Sequence, residues 1–223
     1  MAVVAITGGN RGIGLELAKL YRAAGFAVIV GVRDPGAATA LPDDVEILPL
    51  DVGDDGSVAA FAEALADRSL DILINNAGII GPRKQSSLVM DFTGFLDTLN
   101  VNTLGPLRVT QALLPNLLRA PAGKVAIVSS RMGSMSYAQS NNLAYRASKA
   151  AVNKVSQGLA TDLSDKGIAV AALHPGWVRT DMGGRGADIS PEESAAGIKA
   201  VLDGLSIGDS GKFWDYDGGI VPW

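Results

Sequence analysis

Short apolar runs alternate along the chain with longer stretches in which apolar residues recur at helical spacing. The runs predicted as strands are 3–6, 27–30, 45–48, 71–74, 124–128, 168–173 and 212–216. Most of them contain few polar residues. Both faces of these strands are therefore expected to be buried, as in a parallel sheet that is covered by helices.

The stretches between the strands are predicted as helices at 13–24, 57–68, 86–119 with a break, 143–165 and 191–204. Alternation of this kind is typical of right-handed βαβ units. We predict an α/β fold of the Rossmann type, a doubly wound parallel sheet of about seven strands in the order 3-2-1-4-5-6-7 with helices on both faces. No linker or repeat interrupts the pattern, so residues 1–223 are predicted to form one domain.

The break in the helix over 86–119 is predicted at Pro106. Proline has no N–H, so the carbonyl of Asn102 is expected to lose its partner one turn later and the helix to kink. A free carbonyl beside an amide side chain is a good place to hold a water molecule.

Composition excludes several classes of function. The formal net charge of −4 and the pI near 5.0 give no basic field for nucleic acid. No apolar run reaches the roughly 18 residues of a membrane span, and the first residues lack the features of a signal peptide, so a cytoplasmic protein is expected. With no cysteine and one histidine, His174, the chain is predicted to hold no metal. His174 is interpreted as a packed residue at a strand end.

The first strand runs directly into the glycine-rich segment TGGNRGIG, residues 7–14. Glycines at this place let backbone N–H groups approach a pyrophosphate at a helix N-terminus. The spacing differs from the G-x-G-x-x-G fingerprint, and such a segment alone is equally compatible with a tight turn. Its position between the first strand and the first helix favours nucleotide binding.

The second strand ends in GVRDP, residues 31–35. Val32 stands about where NAD-binding proteins place an acidic residue, and Arg33 follows it. Arg11, inside the glycine segment, can reach the same point. Two arginines in an acidic chain favour the 2′-phosphate of NADP. Asp34 is the alternative, since a strand end one residue later would make it a ribose ligand.

Tyr145 and Lys149 stand four positions apart on one face of a predicted helix. Taken alone, such a pair is better interpreted as an exposed amphipathic pair. The segment SSRMGSMS, residues 129–136, places hydroxyl groups after the fifth strand, at the sheet edge where doubly wound folds bind ligands. Serines at a strand end also commonly cap a loop or helix.

TGGNRGIG, NNAG, the Asn of VNTLGP, the Ser of IVSS and YRASK follow one another at fitting separations. In this combination the chain resembles the short-chain dehydrogenase/reductase superfamily over essentially its whole length. Within it, VNTLGPLRVTQALLP, HPGWVRTDMGG and FWDYDGGIVPW resemble the branch of C-factor and Sniffer-like carbonyl reductases.

The resemblance implies hydride transfer between NADP(H) and a carbonyl or alcohol. Tyr145 would be the proton donor, and the cation of Lys149 would lower the pKa of its phenol and hold the nicotinamide ribose. Ser130 would orient the carbonyl oxygen, and Asn102 would anchor a proton-relay water. The 15 positions from Ser130 to Tyr145 exceed the usual spacing, which we interpret as a two-residue insertion; Ser134 is the lesser candidate.

The resemblance also implies a set of cofactor contacts, with Asp51 at the adenine and with Val178 and Thr180 at the pyrophosphate and carboxamide. The full set is Gly8, Asn10, Arg11, Gly12, Ile13, Gly14, Arg33, Asp51, Val52, Asn76, Ala77, Gly78, Tyr145, Lys149, Pro175, Gly176, Val178 and Thr180. Only eight residues, 183–190, precede the last predicted helix, so a short lid and an open site are expected.

Single features of the sequence also match other functions. GLSIG, residues 204–208, matches the nucleophile elbow of α/β-hydrolases, but it follows a helical stretch and the only histidine precedes it, so we dismiss that reading. A non-catalytic, NADP-binding signalling or regulatory protein of C-factor type stays open as the alternative. The expected partner is a small-molecule carbonyl or alcohol, with no nucleic acid and no membrane; a homodimer is left open.

Overall fold

The computed structural model describes residues 1–223, which fold around a seven-stranded parallel sheet. Its strands are β1 Val3–Thr7, β2 Ala27–Val32, β3 Glu46–Pro49, β4 Ile72–Asn75, β5 Lys124–Val128, β6 Ala169–His174 and β7 Phe213–Asp215. They lie in the order β3-β2-β1-β4-β5-β6-β7 and every neighbouring pair is parallel. The predicted fold and strand order are therefore confirmed.

Helices cover both faces of the sheet. They are α1 Gly12–Ala23, α2 Asp55–Leu65, α3 Phe92–Leu99, α4 Gly105–Ala112, α5 Leu114–Leu117, α6 Leu143–Leu163 and α7 Pro191–Gly204. The helices α1 and α7 pack on one face, and α2, α4 and α6 pack on the other. None of the helices combines the length and the apolarity that a membrane crossing requires.

The central strand β1 shows why its sequence lacks polar alternation. Val4 and Ile6 point into the cluster beneath α1 and α7, whereas Ala5 points into the cluster beneath α2 and α6. Successive side chains of a strand face opposite sides, so a strand with helices on both faces must be apolar at every position. All three residues are fully buried.

The helix predicted over 86–119 is wrong in its extent. Residues 86–91 form a loop, and α3 begins only at Phe92, because the Asp91 side chain caps it by accepting the Gly94 N–H at 3.0 Å. The predicted break takes the form of a π-helical turn, Asn100–Leu104, which ends two residues before Pro106. There the N–H of the residue before Pro106 donates to a carbonyl five positions back instead of four.

Candidate active site

A cleft of about 730 Å³ lies where the carboxyl ends of the parallel strands meet. Of the residues predicted from the sequence, its lining contains Gly8, Asn10, Arg11, Gly12, Ile13, Arg33, Asp51, Val52, Asn76, Ala77, Gly78, Tyr145, Lys149, Pro175 and Thr180. Sequence reasoning missed Arg179 and Asp181, which also line the cleft. Both stand in the segment HPGWVRTDMGG, but the resemblance assigned no role to these two charged residues.

The glycine segment turns sharply where it lines the cleft. Gly8 and Gly12 have φ of 70° and 54°, in the left-handed region that favours glycine. The side-chain amide of Asn76, at the end of β4, donates to the carbonyl of Gly8 at 2.9 Å. A Cβ at Gly14 would lie 2.5 Å from that amide nitrogen, so Gly14 is needed for packing and lies behind the lining.

Two arginines lie at the rim of the cleft. The strand β2 ends at Val32, which is buried, and Arg33 follows as an exposed side chain. Arg11 is also exposed and forms an ion pair with Asp181 at 2.7 Å. Arg33 therefore lies where a strand end presents it to the cleft, whereas any anion that binds Arg11 must compete with Asp181.

Two carboxylates of the cleft are tied to their own loops. Asp34 accepts the N–H of Gly36 at 3.0 Å and caps a short 3-10 turn, and Asp51 accepts the N–H of Gly53 at 2.9 Å. Asp34 was the alternative ribose ligand only if β2 ended one residue later. The strand ends at Val32, before Arg33, and Asp34 is held in its own turn.

Tyr145 and Lys149 are buried on the first turns of α6, which rules out the exposed amphipathic pair. They are 8% and 4% exposed. The Lys149 ammonium donates to the carbonyl of Val128, the last residue of β5, at 2.8 Å, and its Nζ lies 5.7 Å from the centroid of the Tyr145 ring. The helix α6 and the end of β5 thus bring a phenol and an ammonium together in the wall of the cleft.

The pKa of Tyr145 moves in the direction opposite to the prediction. Burial raises it to about 12, an effect that the nearby Ser130 hydroxyl partly offsets. Burial lowers the pKa of Lys149 to about 8. The expectation of a lowered pKa for the phenol is therefore wrong for this structure, because burial disfavours the charged phenolate.

Ser130 follows β5 and begins a 3-10 turn, Arg131–Gly133. Its hydroxyl accepts the N–H of Met132 at 3.1 Å and lies close enough to Tyr145 to lower the pKa of the phenol. The turn packs tightly on α6, since a Cβ at Gly133 would lie 2.5 Å from the carbonyl carbon of Lys149. The end of β5 and the helix α6 therefore set the distances between the side chains of Ser130, Tyr145 and Lys149.

Asn102 lies in the π-helical turn and is fully enclosed. Its amide accepts the N–H of Ile79 at 2.8 Å and donates to the carbonyl of Ile79 at 2.8 Å and to the hydroxyl of Ser148 at 3.0 Å. The side chain thus fastens the loop after β4 to α6. Its hydrogen bonds are taken by protein groups, so any water that Asn102 holds must bind its main-chain carbonyl.

The outer side of the cleft is exposed. Met182 lines the cleft and is 45% exposed. Trp177 lies outside the lining and is 54% exposed, and its indole N–H donates to the carbonyl of Gly183 at 2.9 Å. Residues 183–190 contain no helix, as the predicted short lid requires. Ser134, the lesser candidate for the catalytic serine, donates to the carbonyl of Trp223 at 3.2 Å.

Two further predicted cofactor contacts, Gly176 and Val178, lie behind the lining. Gly176 has φ of 82°, and a Cβ there would lie 2.5 Å from the side chain of Ile189. Val178 is buried and pairs with Ile189 through a backbone bridge. These residues shape the segment that carries Thr180 to the cleft.

A family model described as short chain dehydrogenase matches residues 2–188. The chain is 44% identical over 165 residues to the C-signal of Myxococcus xanthus, which covers 74% of this chain and 99% of that protein. It matches the NADPH-bound carbonyl reductase from chicken fatty liver with a TM-score of 0.92 at 34% identity, over 100% of both chains. It matches the carbonyl reductase Sniffer of D. melanogaster with a TM-score of 0.92 at 30% identity, again over 100% of both.

Proposed function

Because the chain belongs to the short chain dehydrogenase family, we propose that it is an NADP(H)-dependent oxidoreductase. It would reduce small to medium aldehydes and ketones, or oxidise the matching alcohols. The observation that carries the proposal is one cleft that combines the glycine segment, Arg33, and the buried pair of Tyr145 and Lys149. The NADPH-bound carbonyl reductase of similar fold supports the choice of cofactor.

The cleft fits a dinucleotide on its own geometry. Its volume of about 730 Å³ suits a large ligand, and the left-handed glycines Gly8 and Gly12 leave the backbone open to a pyrophosphate. Arg33 and Arg11 at the rim would hold a 2′-phosphate. When bound, the nicotinamide would supply the hydride in reduction and accept it in oxidation.

Tyr145 would supply the proton. With a pKa of about 12 its phenol is protonated at neutral pH, which is the form that reduction needs as negative charge develops on the carbonyl oxygen. The neighbouring Ser130 hydroxyl would orient that oxygen. The same protonation state is unfavourable for alcohol oxidation, which needs a phenolate, so reduction is the favoured direction for the site as described.

Lys149 and Asn102 would support this proton transfer. With a pKa of about 8, Lys149 is charged at neutral pH, and its ammonium has donors left after the bond to Val128 for the ribose hydroxyls. Proline at 106 cannot donate to the carbonyl of Asn102, so that carbonyl would hold the water that returns a proton to Tyr145.

The substrate would be bound mostly by apolar contact. Met182 lines the cleft, and Met132 and Trp177, which lie near cleft residues in the sequence, would also contact the substrate. The one cation beside Ser130, Arg131, is already paired with Asp215. Methionine adapts to many shapes, so broad acceptance of apolar and aromatic carbonyls is proposed. A cytoplasmic location and a homodimer stay predictions.

The test is NADPH oxidation by the purified protein over a panel of aldehydes and ketones of graded size and charge. We expect turnover of several apolar or aromatic carbonyls, with the alcohol as product. A preference above about 10⁴-fold for one carbonyl over close analogues requires hydrogen-bonded recognition and would contradict broad acceptance.

A signalling or regulatory role is the second candidate, favoured by the 44% identity to the C-signal of Myxococcus xanthus. It predicts NADPH binding without turnover of any carbonyl. Isothermal titration with NADPH beside the carbonyl panel separates the two candidates: binding with turnover supports the reductase, and binding alone supports the regulator.

A further inference from the structure

The hydrogen-bond ladder between β5 and β6 stops at the carboxyl end of β5. Its last rung runs from the N–H of Ser129 to a carbonyl of β6 at 2.8 Å. The next rung would need an N–H at position 175, but Pro175 has none. The rung after that would join the N–H of Arg131 to the carbonyl of Pro175, which accepts the hydroxyl of Ser194 at 2.6 Å instead.

His174 takes the place of the missing rung. Its Nδ1 accepts the N–H of Arg131 at 3.2 Å. A ring nitrogen that accepts carries no proton, so this imidazole is neutral and its other nitrogen carries the hydrogen. Burial, which lowers the pKa of His174 to about 4, keeps it in that form at neutral pH.

The charged groups that face His174 are Arg131, Asp215 and Asp217. The guanidinium of Arg131 is paired with the carboxylate of Asp215 at the end of β7, and Asp215 in turn accepts the N–H of Tyr216 at 2.8 Å. Arg131 is therefore held twice, by its main chain from β6 and by its side chain from β7. The residue directly before it is Ser130.

We propose that His174 is a positioning residue for Ser130: by accepting the N–H of Arg131, it fixes the main chain that holds the serine hydroxyl beside Tyr145. The inference rests on the proposed function, in which that hydroxyl orients the substrate carbonyl. Because the 3-10 turn after Ser130 also leans on α6, loss of the His174 bond frees the strand side of the turn and leaves its helix side packed.

The test compares His174→Leu, which has no acceptor, with His174→Asn, whose Oδ1 stands at the same branch as Nδ1. We expect His174→Leu to lower kcat for carbonyl reduction by about tenfold to a hundredfold through misplacement of Ser130. We expect His174→Asn to stay within about threefold of the parent, because the acceptor is kept. The Kd for NADPH should change by less than about twofold in both, since His174 does not line the cleft.

Two readouts separate positioning from a general structural role. In a Ser130→Ala background, His174→Leu should cause no further loss of kcat, since the two act as one unit. Amide exchange followed by NMR should show the Arg131 N–H protected in the parent and in His174→Asn, and unprotected in His174→Leu.

Equal kcat for the Leu and Asn variants, or a full further loss in the Ser130→Ala background, would overturn the inference. So would an Arg131 amide that stays protected in His174→Leu. If the parent protein reduces no carbonyl, the proposed function fails, and the amide exchange of Arg131 still decides whether His174 holds this main chain.

Discussion

The floor and the rim of the cleft are built in different ways. What we call the floor consists of Tyr145 and Lys149, which line the cleft, and of Ser130 beside them. Each is buried to more than nine-tenths and hydrogen-bonded or packed against β5 and α6. The rim consists of Arg11, Arg33 and Met182, which line the cleft and are exposed. Of these three side chains, only Arg11 has an ion-pair partner.

This contrast indicates that the floor carries out the proton transfer and that the rim determines which cofactor and substrate bind. Buried groups with fixed partners have shifted pKa values and fixed spacing, which proton transfer needs. Exposed groups are screened by solvent and free to move, so each contributes a modest and adaptable share of binding. Substitutions in the floor should therefore abolish turnover, whereas those in the rim should change which molecules bind.

The largest effect is expected at Tyr145 in the floor. Tyr145→Phe removes the proton donor and should lower kcat by at least about a hundredfold, with the Kd for NADPH nearly unchanged. Steady-state kinetics and fluorescence titration measure the two quantities. The matched control is Tyr137→Phe, since Tyr137 is 42% exposed and should lose almost nothing.

Lys149→Ala provides the internal comparison, because it should lower kcat and also weaken NADPH binding. If Tyr145→Phe keeps the parent turnover on every carbonyl that the parent reduces, the buried floor does not carry the chemistry.

A second effect concerns stability in acid and uses His174, the partly buried histidine that accepts the N–H of Arg131. The pKa of His174 is about 4 in the fold and near 6.5 when unfolded, so the unfolded chain takes up the proton first as pH falls. The contribution of neutral His174 to the free energy of unfolding is then fully present above pH 6.5 and declines toward pH 4. Between pH 7 and 5 the free energy of unfolding should fall by roughly 2 kcal/mol more in the parent than in His174→Asn.

Urea unfolding at a series of pH values measures this difference, and NMR titration of the only imidazole in the chain gives its native pKa directly. The prediction would be contradicted if the free energy of unfolding changed with pH in the same way in the parent and in His174→Asn. A native pKa near 6.5 for His174 would contradict it as well.

A third effect lies at the rim and concerns the choice of cofactor. Replacing Arg11 and Arg33 together by alanine should raise the Kd for NADPH at least about tenfold and leave that for NADH within about twofold, because each charge-assisted contact to the 2′-phosphate is lost. Arg119→Ala is the matched control, an exposed arginine outside the cleft. Equal Kd values of the parent for NADPH and NADH would contradict the assignment to these arginines.

The smallest effect is expected at the substrate side of the rim. Met182→Ala should change kcat/KM for bulky aromatic ketones by less than about tenfold and for small aldehydes hardly at all, since a half-exposed side chain contributes only part of its apolar contact. A loss of more than about a hundredfold would mean that Met182 belongs to a closed, selective pocket.

Features that depend on residues close together in the sequence, such as strands, helix ends and short motifs, could be predicted. Apolar runs predicted the strands, since a strand buried on both faces admits few polar residues. The alternation of these strands with helices predicted the Rossmann-type strand order. The helix α7 begins at Pro191 and ends at Gly204, as predicted, because Ser190 caps it and proline suits a first turn. The glycine segment and the Tyr145–Lys149 spacing likewise pointed to the cleft.

What could not be predicted depends on contacts between distant segments. Burial raises the pKa of Tyr145, and burial cannot be inferred from the i, i+4 spacing with Lys149, which therefore suggested the wrong direction. The amide of Asn102 fastens Ile79, 23 positions away, and Asp181 reaches Arg11 across 170 positions. The bond from Arg131 to His174 arises only because the prolyl residue after His174 ends the ladder.

Deuterium transfer from NADPH labelled at C4 tests the central claim most directly. The purified protein is mixed with an aromatic aldehyde and with each of the two C4-deuterated forms of NADPH in turn, and the alcohol is analysed by mass spectrometry. If the protein is an NADPH-dependent carbonyl reductase, one labelled form should give one deuterium per alcohol and the other none. Formation of the labelled alcohol should be nearly abolished in Tyr145→Phe. Alcohol without deuterium from either form, or no alcohol from a folded protein that binds NADPH, would contradict it.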